Sequence, residues 1–130
     1  MIVVDTSVWI QFFRGGADTA TVAAGLKSLI DEDKVALVAP IRVELLGGAR
    51  FQDATRLKRV LSALPLWIPT VTTWDTVEAW AELGARKGHH FGVGALLIAA
   101  TAAERDAAVW SLDSDFDRMR RLGLGRRYGP

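Results

Sequence analysis

The 130-residue sequence predicts an α/β layer fold with a parallel sheet. Short apolar runs alternate along the chain with longer segments in which apolar residues recur at helical spacing. This alternation of strands with amphipathic helices is typical of parallel sheets, whose crossover connections are helical. The length suits one domain, and no repeat, linker or low-complexity segment interrupts residues 1–130. We therefore expect a single α/β domain.

Four short apolar runs are expected to form the strands of this sheet. They show no alternation of apolar and polar residues, which is typical of strands that are covered on both faces. Pro65 and Pro69 bracket the third run. The four runs are residues 2–4, 34–39, 66–68 and 107–111.

Helices are predicted between these strands from their caps and breakers. Thr6-Ser7 offers N-cap chemistry for the first helix, and Gly15-Gly16 stops it. The segment 94–105 is apolar on all sides, which predicts a central buried helix. Two more helices are predicted at 18–30 and 52–64, and between them Pro40 opens a helix that Gly47-Gly48 weakens. The remaining two are 73–87, capped near Thr72 or Thr73 and closed by Gly88, and 116–122, capped by Asp115 or Ser114.

Composition excludes several kinds of chemistry. The chain has no cysteine, which rules out disulfides, thiolate metal sites and a cysteine nucleophile. The uncharged stretch 91–103 is too short to cross a bilayer, and the N-terminus lacks the pattern of a signal peptide. We therefore expect a cytoplasmic protein with no membrane partner.

Five arginines between Arg118 and Arg127 form either a solvated face or frayed tail, or a strip that contacts phosphate.

Acidic residues stand where three of the predicted segments reach the same edge of the sheet. Asp5 directly follows the first strand, and Asp113 and Asp115 follow the last. Glu44 lies in the helix after the second strand and interrupts its apolar face. Ligands of open parallel sheets bind outside the carboxyl ends of the strands. We therefore expect Asp5, Glu44, Asp113 and Asp115 to meet at one rim.

Clustered carboxylates would repel each other by about 4 kcal/mol per pair at ~4 Å and an effective dielectric constant near 20. Such a cluster persists only if some of the acids are protonated or a cation neutralises it, and ligation by oxygen alone favours Mg²⁺ or Mn²⁺. A bound dication can activate water and polarise a phosphodiester. Three of the acids also have a purely structural interpretation, since Asp5 could be a helix N-cap and Asp113 and Asp115 a turn and a cap, whereas Glu44 is harder to explain in this way.

Four sequence blocks together resemble the PIN-domain nucleases, and in particular the VapC-type toxins of bacterial and archaeal toxin–antitoxin pairs. The blocks occur in the family's order and span nearly the whole chain: VDTSVWI at 4–10, PIRVELLGG at 40–48, LLIAATA at 96–102 and SLDSDF at 111–116. The resemblance implies a three-layer α/β/α sandwich with a central parallel sheet. It also implies a Mg²⁺- or Mn²⁺-dependent toxin endoribonuclease acting on RNA, a homodimer, and inhibition by a cognate VapB-type antitoxin.

The resemblance also implies roles for individual residues. Asp5 and Glu44 correspond to the first and second metal-binding acids, and the fourth falls at Asp113 or Asp115, between which family members vary. Ser7 stands where the family often has a small polar residue near the metal, although a capping role explains it equally well.

The sequence departs from the family at Ala95, where members typically carry the third acid, an Asp. Such a clean change in an intact motif is typical of a deliberate substitution, whereas natural degeneration would also blur neighbouring positions. In either case we expect weak metal binding and poor RNA cleavage. His89 and His90 are near in sequence but are expected to be exposed loop residues rather than replacement ligands.

Two further interpretations compete with an impaired toxin ribonuclease. One is a catalytically inactive PIN-like module that binds RNA or protein, although such a scaffold has no reason to retain the four acids. The other, a nuclease acting on DNA flaps, lacks support because the large insertions of such enzymes are missing. The tryptophans, among them Trp9, Trp74 and Trp80, favour core and dimer packing over an antitoxin groove.

Overall fold

Within residues 1–50 and 53–129, the part of the chain that this computed structural model describes, five strands form one parallel sheet. The strands are β1 Ile2–Val4, β2 Val35–Val38, β3 Leu66–Trp67, β4 Ala108–Trp110 and β5 Arg126–Arg127. Their order across the sheet is β3-β2-β1-β4-β5. β1 is central and pairs Val3 with Ala36 on one side and with Val109 on the other.

The same part of the chain contains seven α-helices, and a 3₁₀ turn at Ala17–Thr19 precedes the second. They are α1 Thr6–Arg14, α2 Ala20–Asp31, α3 Ala39–Gly48, α4 Ala54–Ser62, α5 Val71–Arg86, α6 Val93–Glu104 and α7 Asp115–Arg121. The fourth helix was predicted from Gln52, which lies outside the described residues. No helix of the described residues is long and apolar enough to span a bilayer.

The helices cover both faces of the sheet. Crossovers between parallel strands are right-handed, so the connections β1–β2 and β2–β3 lie on one face and β3–β4 and β4–β5 on the other. The contacts agree, because α1 packs on α2 and α3, and α3 on α4, whereas α6 packs on α5 and α7. This arrangement confirms the predicted α/β/α fold.

The core lies on either side of the central strands. All four residues of β2 are buried, as expected for a strand covered on both faces. In α6, residues 96–102 are buried without interruption. This confirms the central helix expected from an all-apolar segment, each large side chain of which contributes about 1.5–3 kcal/mol when fully buried.

The fifth strand was not predicted. Arg126–Arg127 pairs with β4, so the end of the arginine run is not a frayed tail. The pairing is made by the backbone, and the two side chains reach acids outside the strand. Arg126 Nη2 lies 3.2 Å from Asp106 Oδ1, and Arg127 Nε lies 2.8 Å from Asp117 Oδ1.

Several helix starts differ from the predicted ones. α1 is capped by Asp5 rather than by Thr6-Ser7. The 3₁₀ turn delays the start of α2 to Ala20. α5 begins at Val71, because Thr70 is the cap and its backbone N–H donates to Thr73 Oγ1 at 2.9 Å. Of the two caps proposed for the last helix, Ser114 holds that position.

Candidate active site

The candidate site lies where the direction of strand order reverses. From β1 the chain builds β2 and β3 on one side and then returns to place β4 on the other. A crevice at the carboxyl ends of such neighbouring strands is the usual ligand site of open parallel sheets. Asp5 follows β1 and residues 111–115 follow β4. The backbone N–H of Asp5 donates to Trp110 O at 2.8 Å, which holds the two strand ends together.

Asp5 is buried and its carboxylate is held in one orientation. The side chain caps α1 by accepting a 3.4 Å hydrogen bond from the Ser7 backbone N–H. Its Oδ2 also accepts hydrogen bonds of 2.8 Å from Ser7 Oγ and from Ser111 Oγ. All these bonds end on Oδ2, so Oδ1 is not engaged by them. The capping interpretation of Asp5 is therefore correct, but capping occupies only one of its two oxygens.

Ser111 connects Asp5 to the loop after β4. Its side chain is 3% exposed, and its Oγ accepts a 3.0 Å hydrogen bond from the backbone N–H of Asp113 while donating to Asp5. Ser7 Oγ similarly accepts from the backbone N–H of Leu112 at 3.0 Å. The sequence interpretation missed Ser111. The available signal was its position directly after a buried strand, like that of Asp5.

Glu44 reaches the same edge from α3. It is exposed, and its Oε2 accepts a 2.6 Å hydrogen bond from Thr6 Oγ1, the residue directly after Asp5. A Cβ atom placed on Gly94 would lie 3.4 Å from Glu44 Oε1, so this second oxygen faces the first turn of α6. Ala95 is the next residue of that turn and is half-buried. Position 95 therefore lies in the helical turn that faces Glu44. The sequence interpretation did not identify Thr6 as a partner of Glu44.

Asp113 and Asp115 take different roles after β4. Asp113 is exposed, and its Oδ1 accepts a 2.9 Å hydrogen bond from the Asp115 backbone N–H, which is the expected turn. Asp115 Oδ1 lies 2.8 Å from Arg118 Nη1 in an ion pair within α7. Asp115 is thus already paired with a cation, whereas Asp113 is linked to Asp5 through Ser111.

The structure brings the sequence-predicted acids together only in part. Asp5 and Glu44 are joined through Thr6, and the backbone of Asp113 is joined to Asp5. Within residues 1–50 and 53–129, however, no three Asp, Glu, His or Cys side chains are close enough to form a metal-binding group. The ligand roles of the four acids stay predictions. His89 is half-buried and stacks on Phe91 with ring centroids 5.6 Å apart, and His90 is exposed.

A groove of about 400 Å³ extends from the Glu44 end of the site between α1, α3 and α4. Thr6 and Glu44 line its end nearest the acids. Apolar side chains of the three helices, together called the floor, and basic side chains line the rest of it. The floor and basic residues are Ile10, Phe13, Leu45 and Leu57, and Arg14, Arg50 and Arg56.

A family model and a curated relative agree on the family to which this chain is similar. A family model described as the PIN domain matches residues 2–122. The chain is 30% identical over 131 residues to VapC ribonuclease Mb1587 of Mycobacterium bovis, which covers 94% of this chain and 93% of that protein.

Solved structures share the fold at lower identity. The FitAcB structure from Neisseria gonorrhoeae has a TM-score of 0.78 at 21% identity, covering 98% of this chain and 97% of that one. VapBC2 from Rickettsia felis, solved with a DNA fragment from its promoter, has a TM-score of 0.79 at 18% identity and covers 98% of both chains. At these identities the similarity establishes the fold alone.

Proposed function

The chain belongs to the PIN-domain family and has VapC ribonucleases as relatives, and on this premise we propose that it is a toxin endoribonuclease that hydrolyses RNA with Mg²⁺ or Mn²⁺ and is impaired by Ala95. One observation carries the proposal. Asp5 and Glu44 each have one oxygen held by hydroxyl donors, and the second oxygen of each lies outside those bonds. Two oriented carboxylates at a strand-order reversal suit a hard cation and a phosphodiester.

The residues present fit such a cation in type but not in number. Asp5 Oδ1 and Glu44 Oε1 would hold it, with Asp113 as the expected further acid. Carboxylate oxygens are the ligands that Mg²⁺ and Mn²⁺ prefer. A ligand missing at Ala95 would explain the shortfall, because this residue lies in the turn of α6 that faces Glu44 and a methyl group offers no ligand. We therefore propose weak metal binding by this chain.

The proposed reaction adds water across a P–O bond of RNA. One proton must leave the attacking water and one must reach the leaving oxygen. Bulk water can take up the first proton and supply the second, because a dication held by Asp5 and Glu44 would lower the pKa of the attacking water, and Thr6 keeps the Glu44 carboxylate oriented for that role. A bound dication supplies positive charge that offsets the charge developing on the phosphate oxygens. The hydroxyls of Ser7 and Ser111 keep Asp5 oriented throughout.

The test restores the third acid. We expect Ala95→Asp to cleave RNA at least ~10-fold faster than this chain in Mg²⁺, in the range of losses seen when the surroundings of a metal site are altered. Ala95→Asn is the matched control, because it adds a polar group of similar size without the charge and should stay close to this chain. Equal rates for Ala95→Asp and the unchanged chain would refute the impairment.

A catalytically inactive RNA- or protein-binding module is the second candidate. The absence of a three-ligand group among the described residues favours it. It predicts that Ala95→Asp gains neither cleavage nor affinity for Mn²⁺ while RNA or protein binding is unchanged. The retention of oriented Asp5 and Glu44 carboxylates favours the ribonuclease instead, because a scaffold has no use for their unengaged oxygens.

Partners follow from the family as part of the same proposal. The solved relatives include toxin–antitoxin complexes, from Klebsiella pneumoniae among others, and we propose a cognate VapB-type antitoxin for this chain. Co-expression with the product of a small adjoining gene, followed by co-purification and loss of cleavage, tests it.

We also propose a homodimer, since Ile68, Val71 and Trp74 leave apolar side chains 62%, 79% and 47% exposed near the start of α5.

A further inference from the structure

The groove between α1, α3 and α4 combines an apolar floor with a surplus of positive charge. Phe13 and Leu57 belong to its floor, and Arg14, Arg50 and Arg56 line it against two acids, Glu44 and Asp53. Glu44 belongs to the site at one end. Beyond it, three guanidinium groups and one carboxylate, Asp53, line the groove, and Arg14 is also paired with Asp18 outside the lining. This charge balance suits an anionic chain more than a neutral one.

Arg56 is the best-placed of these arginines. Its Cζ lies 5.2 Å from the centroid of the Phe13 ring, which indicates a cation–π contact. A guanidinium group resting on an aromatic ring loses less freedom when it binds phosphate, and its planar donors match phosphate oxygens. Arg14, on the α1 wall, is held by an exposed ion pair with Asp18, with Nη2 and Oδ2 3.1 Å apart.

The groove continues directly from the proposed cleavage site. Thr6 and Glu44, which share a hydrogen bond, line both. From Glu44 to Gly48, also a lining residue, α3 rises about 6 Å. This distance is on the order of one nucleotide step of an extended single strand, whose consecutive phosphates lie farther apart than the ~3.4 Å rise of a stacked duplex. A strand with its scissile phosphate beside Glu44 would therefore bring its next phosphates within reach of the arginines.

We propose that this groove holds the RNA strand on one side of the cut, with Arg56 and its neighbours Arg14 and Arg50 binding phosphates and the apolar floor receiving a base. The inference rests on the proposed ribonuclease function and extends it to a substrate path. The volume of about 400 Å³ is enough for a nucleotide-sized ligand. Bases have apolar faces and phosphates are anionic, so one strand satisfies both the floor and the arginines.

The first experiment measures binding without cleavage. Fluorescence anisotropy of a 5′-labelled single-stranded oligoribonucleotide of about 12 nucleotides is followed with this chain at several salt concentrations. We expect Arg56→Gln to raise Kd about fivefold and to lower the slope of log Kd against log salt by about 0.7, which is the loss of one phosphate contact. The Kd of Arg56→Lys, which keeps the charge, should lie between that of this chain and that of Arg56→Gln.

Arg59→Gln is the matched control. Arg59 is exposed on the same helix, carries the same charge and does not line the groove. It should change Kd less than about twofold if position rather than total charge matters. Equal effects of Arg56→Gln and Arg59→Gln overturn the proposal. An unchanged Kd in Arg56→Gln also overturns it. The apolar floor would then fit an apolar peptide better than RNA. Should Arg56→Gln unfold by circular dichroism, Arg14→Gln provides the same comparison.

A second measurement separates this inference from the proposed function. In the Ala95→Asp background, Arg56→Gln should raise KM for RNA about fivefold and leave kcat within about twofold, because Arg56 contributes no ligand to the proposed cation site. Cleavage by Ala95→Asp with an unchanged KM in Arg56→Gln refutes the groove alone. No cleavage by Ala95→Asp refutes the proposed function, and the anisotropy result then decides the groove as an RNA-binding surface.

Discussion

Thr6 Oγ1 donates a 2.6 Å hydrogen bond to Glu44 Oε2, joining the first turn of α1 to the middle of α3 across 38 residues of sequence. Because Thr6 directly follows Asp5, this bond sets the distance between the two carboxylates that carry the proposed site. It also leaves Glu44 Oε1 directed to the first turn of α6. Thr6 is therefore a positioning residue rather than a ligand in the proposal.

Thr6→Val should weaken metal binding without unfolding the protein. Valine has the shape of threonine but cannot donate to Glu44, whose carboxylate then becomes free to rotate. In the Ala95→Asp background we expect Mn²⁺ affinity, measured by isothermal titration calorimetry, to fall about 10-fold, and Thr6→Ser to restore most of it. Thr21→Val, an exposed threonine of α2, is the control. If Thr6→Val and Thr21→Val bind Mn²⁺ equally, the positioning role is wrong.

Ser111→Ala should lower the free energy of unfolding by about 1–3 kcal/mol, because it removes a donor to Asp5 and an acceptor for the Asp113 backbone N–H in a buried place. Urea unfolding measures the change. Ser62→Ala, at an exposed position near the end of α4, should change the stability by less than about 0.5 kcal/mol. A similar small effect at Ser111 would show that the relay to Asp5 contributes little.

Ala95→Asp should make stability depend on the divalent cation. Without metal, the new carboxylate lies in the turn that faces Glu44, and we expect their repulsion, about 1 kcal/mol or more at ~4 Å, to outweigh the ~0.3–1 kcal/mol gained from an acid in the first turn of α6. We therefore expect a lower Tm than for this chain in EDTA. Saturating Mn²⁺ should raise the Tm of Ala95→Asp by several degrees more than that of Ala95→Asn. Equal shifts would contradict a metal site at this position.

The sequence predicted elements whose pattern is local and missed those that depend on distant partners. An all-apolar stretch is enough to indicate a buried helix, and α6 is one. Arg126–Arg127 shows no apolar pattern, because its pairing with β4 uses backbone groups and its side chains bind Asp106 and Asp117. Local spacing gives no sign of such an edge strand.

In the candidate site, too, some residues could be predicted from local sequence and others could not. Asp5 and Glu44 were predicted because acids at the ends of apolar segments stand out, and the four-block resemblance added Ala95. The hydroxyls of Thr6 and Ser111 were missed, since Thr6 has a local capping explanation and Ser111 was assigned to the end of the last strand. Their partners, Glu44 and Asp5, lie 38 and 106 residues away and are found only in three dimensions.

Val71→Asp should convert the proposed dimer to a monomer. Val71 is 79% exposed at the start of α5 and lies one turn from Trp74, so the two side chains form one apolar surface. A buried carboxylate at an interface is strongly unfavourable, whereas an exposed one in the monomer is not. Analytical ultracentrifugation should show loss of the dimer, while Val93→Asp serves as a comparison at another exposed valine. A chain that is monomeric before substitution would refute the dimer.

Gly84→Ala and Gly47→Ala should have opposite effects on stability, although both replace a glycine inside a helix. At Gly84 a Cβ atom would lie 3.0 Å from the Phe91 ring and 3.1 Å from His89 O, and the backbone oxygen cannot move away easily. At Gly47 nothing lies within 4 Å. We expect Gly84→Ala to lose about 1–2 kcal/mol in urea unfolding and Gly47→Ala to gain up to about 0.5–1 kcal/mol.

The destabilisation expected from Gly84→Ala should also disturb the candidate active site. The end of α5 is closed by Gly88, whose φ is +82°, and by a 2.8 Å hydrogen bond from the His89 N–H to Gly84 O. This turn leads through Phe91 to the first turn of α6, which faces Glu44. In the Ala95→Asp background, Gly84→Ala should therefore lower Mn²⁺ affinity severalfold, whereas Gly47→Ala should not. If both variants retain the affinity, the packing of the turn against Gly84 does not position the start of α6.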